Sequence, residues 1–219
     1  MGYTHYFAYD PNAEEFISAW PQIIEDARLI AEHVQSELHV RLTGGLGEGE
    51  AEFSERWIWL NGPTAGDLGH ETLLIDSTPW KSWDEQAELG HARWAHEQHV
   101  EFAERGLIAA FCKTARKPYD IAVTSILLRA ARLAPRSFVI ASDGDWQHEW
   151  QHGANHWEEH CPCEVSPTEL VARLFAQLES PEENPLVTNV WDGPQRAQRR
   201  GTARQRNVDS AAKEVPHVR

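Results

Sequence analysis

The chain has 219 residues and a net charge of −14, from 20 Lys and Arg against 34 Asp and Glu. No apolar run approaches the roughly 18 residues that span a bilayer. Residues 1–10 lack the basic start and long apolar stretch of a secretion signal. The three cysteines argue against a disulfide framework and fit a reducing compartment. These features predict a soluble, cytoplasmic protein without a membrane segment.

Apolar periodicity and turn signals predict one α+β domain over residues 1–180. The expected strands cover residues 3–9, 38–43, 56–60, 70–76 and 137–142. The expected helices begin near Ser18 and at Pro118, and a last one covers residues 167–179. This order has too few strand–helix–strand units for a doubly wound sheet, so we expect a mainly antiparallel sheet with helices packed on one face. Trp57 and Trp59 share one strand face and are expected in the core.

Three segments differ from the rest in composition. A Trp/His-rich insertion covers about 80–106, a His/Cys-rich segment covers 146–163, and a basic tail covers 181–219, whose Pro, Gly, Gln and Arg content predicts disorder. Residues 192–219 hold seven basic and three acidic residues, a net charge of +4, which leaves −18 on the remaining 191. Because so acidic a body repels phosphate backbones, nucleic acid is an unlikely partner.

A basic cluster lies within residues 111–120, which read Phe-Cys-Lys-Thr-Ala-Arg-Lys-Pro-Tyr-Asp just before a predicted helix. Lys113, Arg116 and Lys117 would add positive charge to a helix N-terminus, whose free N–H groups favour an anion. The cluster therefore predicts a phosphate or carboxylate pocket. The alternative is a solvated loop whose cations pair with nearby Asp and Glu.

Several short motifs occur in a defined order. They are Met-Gly-Tyr-Thr-His-Tyr at 1–6, Asn-Gly at 61–62, His-Glu-Thr at 70–72, the run at 111–120 and Ser-Asp-Gly-Asp-Trp at 142–146. Together they resemble an uncharacterised family of small proteins encoded by bacteriophages and by prophage-like regions of bacterial genomes. The resemblance covers residues 1–150 and implies a host-cell cytoplasm, but no established activity. The insertion at 80–106, the segment after Trp150 and the basic tail depart from it.

Polar and reactive residues lie at the predicted strand ends and helix starts, where a sheet can converge them on one pocket. A small anionic, nucleotide-like ligand fits this set, with tyrosine rings stacking on its base. Such a protein could sequester or degrade a host signalling nucleotide, and the sequence leaves open whether it is an enzyme. Alternatively, His5 and His70 are half-buried strand residues and Asp143 begins a simple turn. The expected ligand-binding residues are Tyr3, His5, Tyr6, Asn61, His70, Glu71, Lys113, Thr114, Arg116, Lys117, Tyr119 and Asp143.

A possible zinc site lies in the segment 146–163. Four histidines recur there every four residues, so neighbouring pairs would share one helix face, and two nearby thiolates suit Zn²⁺. Gly153 and Asn155 weaken such a helix, and the alternative is a solvated polar helix end. The candidate ligands are His148, His152, His156, His160, Cys161 and Cys163.

A different class of function is an interaction module. The acidic, Trp-rich stretch 80–106 would dock on a host protein, and the basic cluster would be structural. A zinc-stabilised structural domain is a further alternative. Buried Trp83 and Trp94 would argue against the docking hypothesis.

Overall fold

The protein is described here from a computed structural model, which describes residues 3–77, 107–144, 149–150 and 165–176. The insertion at 80–106, the zinc-ligand candidates and the basic tail lie outside these residues. The described part has an α+β fold, as expected. Its elements are β1 Thr4–Tyr9, α1 Glu14–Ser36, β2 Glu52–Phe53, β3 Trp57–Leu60, a 3₁₀ helix Ala65–Asp67, β4 Leu73–Asp76, β5 Ile108–Lys113, α2 Asp120–Leu133, β6 Phe138–Ser142 and α3 Pro167–Leu174.

The strands form two antiparallel three-stranded sheets within the described residues, where the sequence suggested one. The first sheet has the order β5-β1-β6, and the second has the order β2-β3-β4. In the first sheet, His5 lies between Cys112 and Ser142, and Thr4 pairs with Lys113. Because β1 runs antiparallel to both neighbours, its start lies beside the ends of β5 and β6.

The main core lies between the first sheet and helices α1 and α2. Phe7 and Tyr9 of β1 point into it and stack with Phe16 of α1 and Phe138 of β6, with ring centroids 5.2–6.2 Å apart. His5 lies on the same face of β1, two residues before Phe7. The apolar row of β1 therefore ends in a buried histidine at the edge of the core.

Helix α1 connects the two sheets. It begins at Glu14, four residues before the predicted Ser18, and Pro21 lies inside it. A proline at position 21 removes the hydrogen bond to the Ile17 carbonyl, and both residues lie on the solvent side of the helix, where water can satisfy that carbonyl. Trp20 Nε1 donates to the Glu55 carbonyl at 2.6 Å, which fixes α1 against the second sheet.

Four local predictions were wrong. Residues 38–43 form no strand; only Thr43 makes a β-bridge, to Asn61, because His39 takes a left-handed conformation (φ 56°) that interrupts the extended chain. The strand predicted from residue 70 begins at Leu73, and β5 was not predicted at all. Trp57 and Trp59 are half-exposed, because Ile58 and Leu60 occupy the core-facing positions of β3.

Candidate functional site

The predicted site residues lie mostly at one end of the first sheet. The start of β1, the ends of β5 and β6, and the N-terminus of α2 meet there, and the loop 61–72 packs against them. We call residues 3–6, 113–120 and 142–144, with Asp67, Glu71 and Glu149 that bond to them, the polar end. Its side chains fall into a buried inner group, which faces the helices, and an outer group on the opposite face of the sheet.

The inner group is a chain of buried hydrogen bonds centred on His5, which is 0% exposed. His5 Nε2 lies 2.6 Å from Asp120 Oδ1, and His5 Nδ1 lies 3.0 Å from Ser142 Oγ. Thr114 Oγ1 also donates to Asp120 Oδ1. The two ring nitrogens of His5 thus join Asp120 to Ser142. Asp120 is bound by β1, 115 residues away in the chain, and by the turn six residues before it.

Ser142, His5 and Asp120 are bonded in the order of a nucleophilic triad. Here the three side chains hold the fold together and do not form a nucleophile. Ser142 is only 3% exposed, and its Oγ accepts the Gly144 N–H at 2.8 Å while also bonding the Tyr3 hydroxyl. Its lone pairs are therefore engaged rather than directed at a substrate. Burial, with the nearby carboxylates of Asp120 and Glu149, raises the pKa of Tyr3 well above its usual range, so its phenol stays protonated.

A strained turn follows β5 at the polar end. Ala115 and Arg116 both take left-handed backbone conformations, with φ of 51° and 56°. The N–H groups of Thr114 and Ala115 both donate to the Tyr3 carbonyl, at 3.0 and 3.1 Å. Left-handed non-glycine residues cost about 1–3 kcal/mol each and persist only where surrounding contacts impose them. Here the buried inner group imposes them.

Two of the three predicted cations are paired. Arg116 donates to Glu149 Oε1 through Nε at 3.1 Å and Nη2 at 2.8 Å, and its guanidinium lies 4.0 Å from the centre of the Tyr3 ring. Lys117 Nζ lies 2.5 Å from Asp67 Oδ2. Arg116 and Lys117 therefore form the ion pairs with Asp and Glu that the solvated-loop alternative predicts. Across the described part of the chain, the Lys113 ammonium makes no ion pair within 4.0 Å.

The outer group places Lys113, Tyr6 and Asp143 on the same face of the sheet, with Glu71 against the end of β5. Asp143 is exposed; its Oδ2 accepts the Thr4 N–H at 3.1 Å, and the Tyr6 hydroxyl lies 3.5 Å from its Oδ1. Glu71 Oε2 accepts the Lys113 N–H at 2.9 Å. Burial, reinforced by Asp143, raises the pKa of Tyr6, so its hydroxyl remains a donor at neutral pH. A lysine without an ion pair among the described residues, a phenol and two carboxylates thus lie at this end of the sheet.

Other predicted site residues have structural roles. Asn61 is buried, and its amide makes four hydrogen bonds to the backbone of Gly45, Gly62 and His70. Tyr119 is buried and donates to the Glu71 carbonyl at 2.7 Å. The rings of Tyr3 and Tyr119 are both buried, so the expected stacking on a ligand is not available to them here. The side chain of His70 is exposed.

Sequence reasoning did not include four residues that complete the polar end: Asp67, Asp120, Ser142 and Glu149. Asp120 closes the run 111–120 and Ser142 opens the run 142–146, so both lay within recognised motifs. Asp67 and Glu149 lie 50 and 33 residues from their partners and carry no local signal.

No family model matches the chain, and no curated protein or solved structure is similar to it. The resemblance to phage-encoded proteins therefore remains a prediction.

The described residues contain no group of three or more His, Cys, Asp and Glu side chains arranged to hold a metal ion. The six candidate zinc ligands between His148 and Cys163 lie outside the described residues, so the zinc hypothesis remains a prediction. None of the described helices is long and apolar enough to cross a membrane.

Proposed function

We propose that the protein binds a small anionic, nucleotide-like ligand at the outer group of the polar end. The observation that carries this proposal is the Lys113 ammonium, which has no ion pair in the described residues and lies on the same face of the sheet as the exposed Asp143 and the Tyr6 hydroxyl. A lysine that pairs with none of the described carboxylates, in a protein body with a net charge of −18, is a ready contact for a phosphate oxygen.

The neighbouring groups fit the rest of a nucleotide. Asp143 and Glu71 are acceptors that suit ribose hydroxyls or an exocyclic amino group. Arg116 is partly exposed and can exchange Glu149 for a phosphate, since a guanidinium binds either anion bidentately. His5 and Thr114 support the site from below and do not contact the ligand.

The charge balance favours ligands with few negative charges. Three cations at the polar end, Lys113, Arg116 and Lys117, face five carboxylates on Asp67, Glu71, Asp120, Asp143 and Glu149. A net negative surrounding opposes a triphosphate more than a monophosphate or a cyclic nucleotide. We therefore expect mononucleotides to bind more tightly than triphosphates.

The strained turn supports a functional role for this segment. Consecutive left-handed residues at Ala115 and Arg116 are energetically unfavourable, yet the buried inner group enforces them. Such strain is concentrated at ligand-binding and catalytic sites in proteins, where it presents a side chain in a fixed orientation. Here the side chain presented is that of Arg116.

A thermal-shift screen of the full chain tests the proposal with mono-, di-, tri- and cyclic nucleotides and inorganic phosphate as probes. We expect the melting temperature to rise with at least one mononucleotide or cyclic nucleotide, and the rise to be lost in Lys113→Met. No shift with any probe in the wild-type protein would refute the proposal. Mass spectrometry of the incubated probe then separates a protein that sequesters the nucleotide from one that degrades it.

A further inference from the structure

The second sheet presents aromatic side chains on its outer face. Ile58 and Leu60 of β3 point into the core, so Trp57 and Trp59 point outward and remain half-exposed. Leu74 of β4 is paired with Trp59 and is 38% exposed. Three large apolar side chains therefore lie together on the surface of a small sheet. We call them the Trp face.

Exposed carboxylates lie on and next to the strands that carry the Trp face. Glu52 is the cross-strand partner of Trp59, and Glu48, Glu50 and Glu55 are exposed in the segments that flank β2. Glu52 also accepts the Trp57 Nε1–H at 3.0 Å. The guanidinium of Arg56 lies 4.8 Å from the centre of the Trp57 ring. This surface thus already holds one arginine, by the combination of an indole ring and nearby carboxylates that favours cation–π contacts.

We infer that the basic segment 192–219 of this same chain docks on the Trp face. It supplies arginines of the type already seated on Trp57, namely Arg196, Arg199, Arg200, Arg204 and Arg206. Its net charge of +4 complements the acidic body and, in particular, Glu52 on the Trp face and the three exposed glutamates that flank β2 in sequence. Neither a neutral peptide nor a phosphate backbone offers this complementarity.

The connection is long enough for this contact. The described chain reaches residue 176, and Arg196 lies twenty positions further on, a stretch that spans up to about 66 Å when extended. A domain of about 180 residues has a radius of gyration near 16 Å, so any point of its surface lies within reach. Because the contact is intramolecular, the effective concentration of arginine is high, although each single contact is weak and sensitive to salt.

Site-resolved trypsin digestion of the full chain tests the inference, because trypsin cleaves after the arginines that the contact covers. At low salt we expect cleavage after Arg199, Arg200, Arg204 and Arg206 to be at least about fivefold slower than in a synthetic peptide of residues 192–219. In 1 M NaCl the two rates should converge. Equal rates at low salt would overturn the inference.

A pair of charge-matched variants locates the contact. Glu50→Gln with Glu52→Gln removes two charges at the Trp face and keeps an acceptor for Trp57 Nε1, so the fold is retained. Glu14→Gln with Glu32→Gln removes two exposed charges from α1. We expect the first variant to lose the protection and the second to keep it. Equal protection in both variants, or protection that rises with protein concentration and so indicates a second copy, would overturn the inference.

Discussion

At the scale of single residues, Asp120 is the group on which the polar end depends. It accepts hydrogen bonds from His5 of β1 and from Thr114 of the strained turn, and it is buried with both. A buried carboxylate is tolerated only while its partners satisfy it, so removing its charge disturbs three segments at once.

Asp120→Asn should therefore be strongly destabilising. We expect the free energy of unfolding to fall by about 3 kcal/mol, because the charged hydrogen bonds to His5 and Thr114 are weakened in a buried site. Asp67→Asn is the matched control: Asp67 is 88% exposed, and its pair with Lys117 should contribute less than about 0.5 kcal/mol. Urea denaturation measures both, and similar losses in the two variants would contradict this role of Asp120.

Glu15 makes the stability of the protein depend on pH at the end of the first sheet opposite the polar end. Burial alone would raise its pKa, but hydrogen bonds from Arg136 and Ser137 lower it below the usual 4.5. A lowered folded pKa contributes stability above pH 4.5 that is lost as the pH falls through the folded pKa. Glu15→Gln should thus cost about 1 kcal/mol at pH 7 and nothing near pH 2. A loss of stability that does not change with pH in denaturant titrations would contradict this.

Single residues also show where sequence reasoning about the site succeeds. Lys113, Arg116 and Lys117 were recognised because three cations before a helix form a local pattern. The ion-pair partners of Arg116 and Lys117 could not be predicted, because Glu149 and Asp67 come from distant segments of the chain. His5 was placed at the site, but β1 is the central strand of its sheet and carries the histidine into the core, where it supports the turn.

Among the elements of the fold, the strained turn between β5 and α2 can be tested by whether a glycine substitution raises or lowers the free energy of unfolding. Ala115→Gly should stabilise the protein by about 0.5 kcal/mol, because relief of the left-handed strain outweighs the greater freedom of glycine in the unfolded chain. Ala19→Gly, within α1, should instead destabilise by about 1 kcal/mol. Thermal unfolding of both variants measures the signs, and destabilisation by Ala115→Gly would show that the turn is not strained.

The elements predicted well are those with a strong local pattern. The strand at 4–9, helix α2 and strand β6 follow from runs of apolar residues bounded by turns. Strand β5 was not predicted because its last residues, up to Lys113, were assigned to the basic loop that follows it. The start of α1 was displaced because Pro21 was assigned to a first turn, whereas a solvent-facing carbonyl lets the helix continue through it. The first sheet depends on the pairing of β1 with β5 and β6, which lie much further along the chain, and such pairing has no local signal, whereas the second sheet pairs strands that follow one another.

At the scale of the whole molecule, charge separates the two proposed contacts. We expect the acidic body to oppose polyanions, which is why we propose a small ligand with few negative charges at the polar end, and we expect the opposite charge of segment 192–219 to favour contact with the body. Because the polar end and the Trp face use different residues, nucleotide binding and docking of the basic segment can fail independently.

Calorimetric titration of the full chain with adenosine and guanosine 5′-monophosphates tests nucleotide binding at the polar end most directly. We expect saturable binding of at least one of them, about tenfold weaker in Lys113→Met, because a charge-assisted hydrogen bond to phosphate is lost. Arg136→Met removes an exposed charge at the opposite end of the same sheet and should leave the dissociation constant within about twofold. Equal affinity in wild type and Lys113→Met, or no binding by the wild type, would contradict a nucleotide site at the polar end.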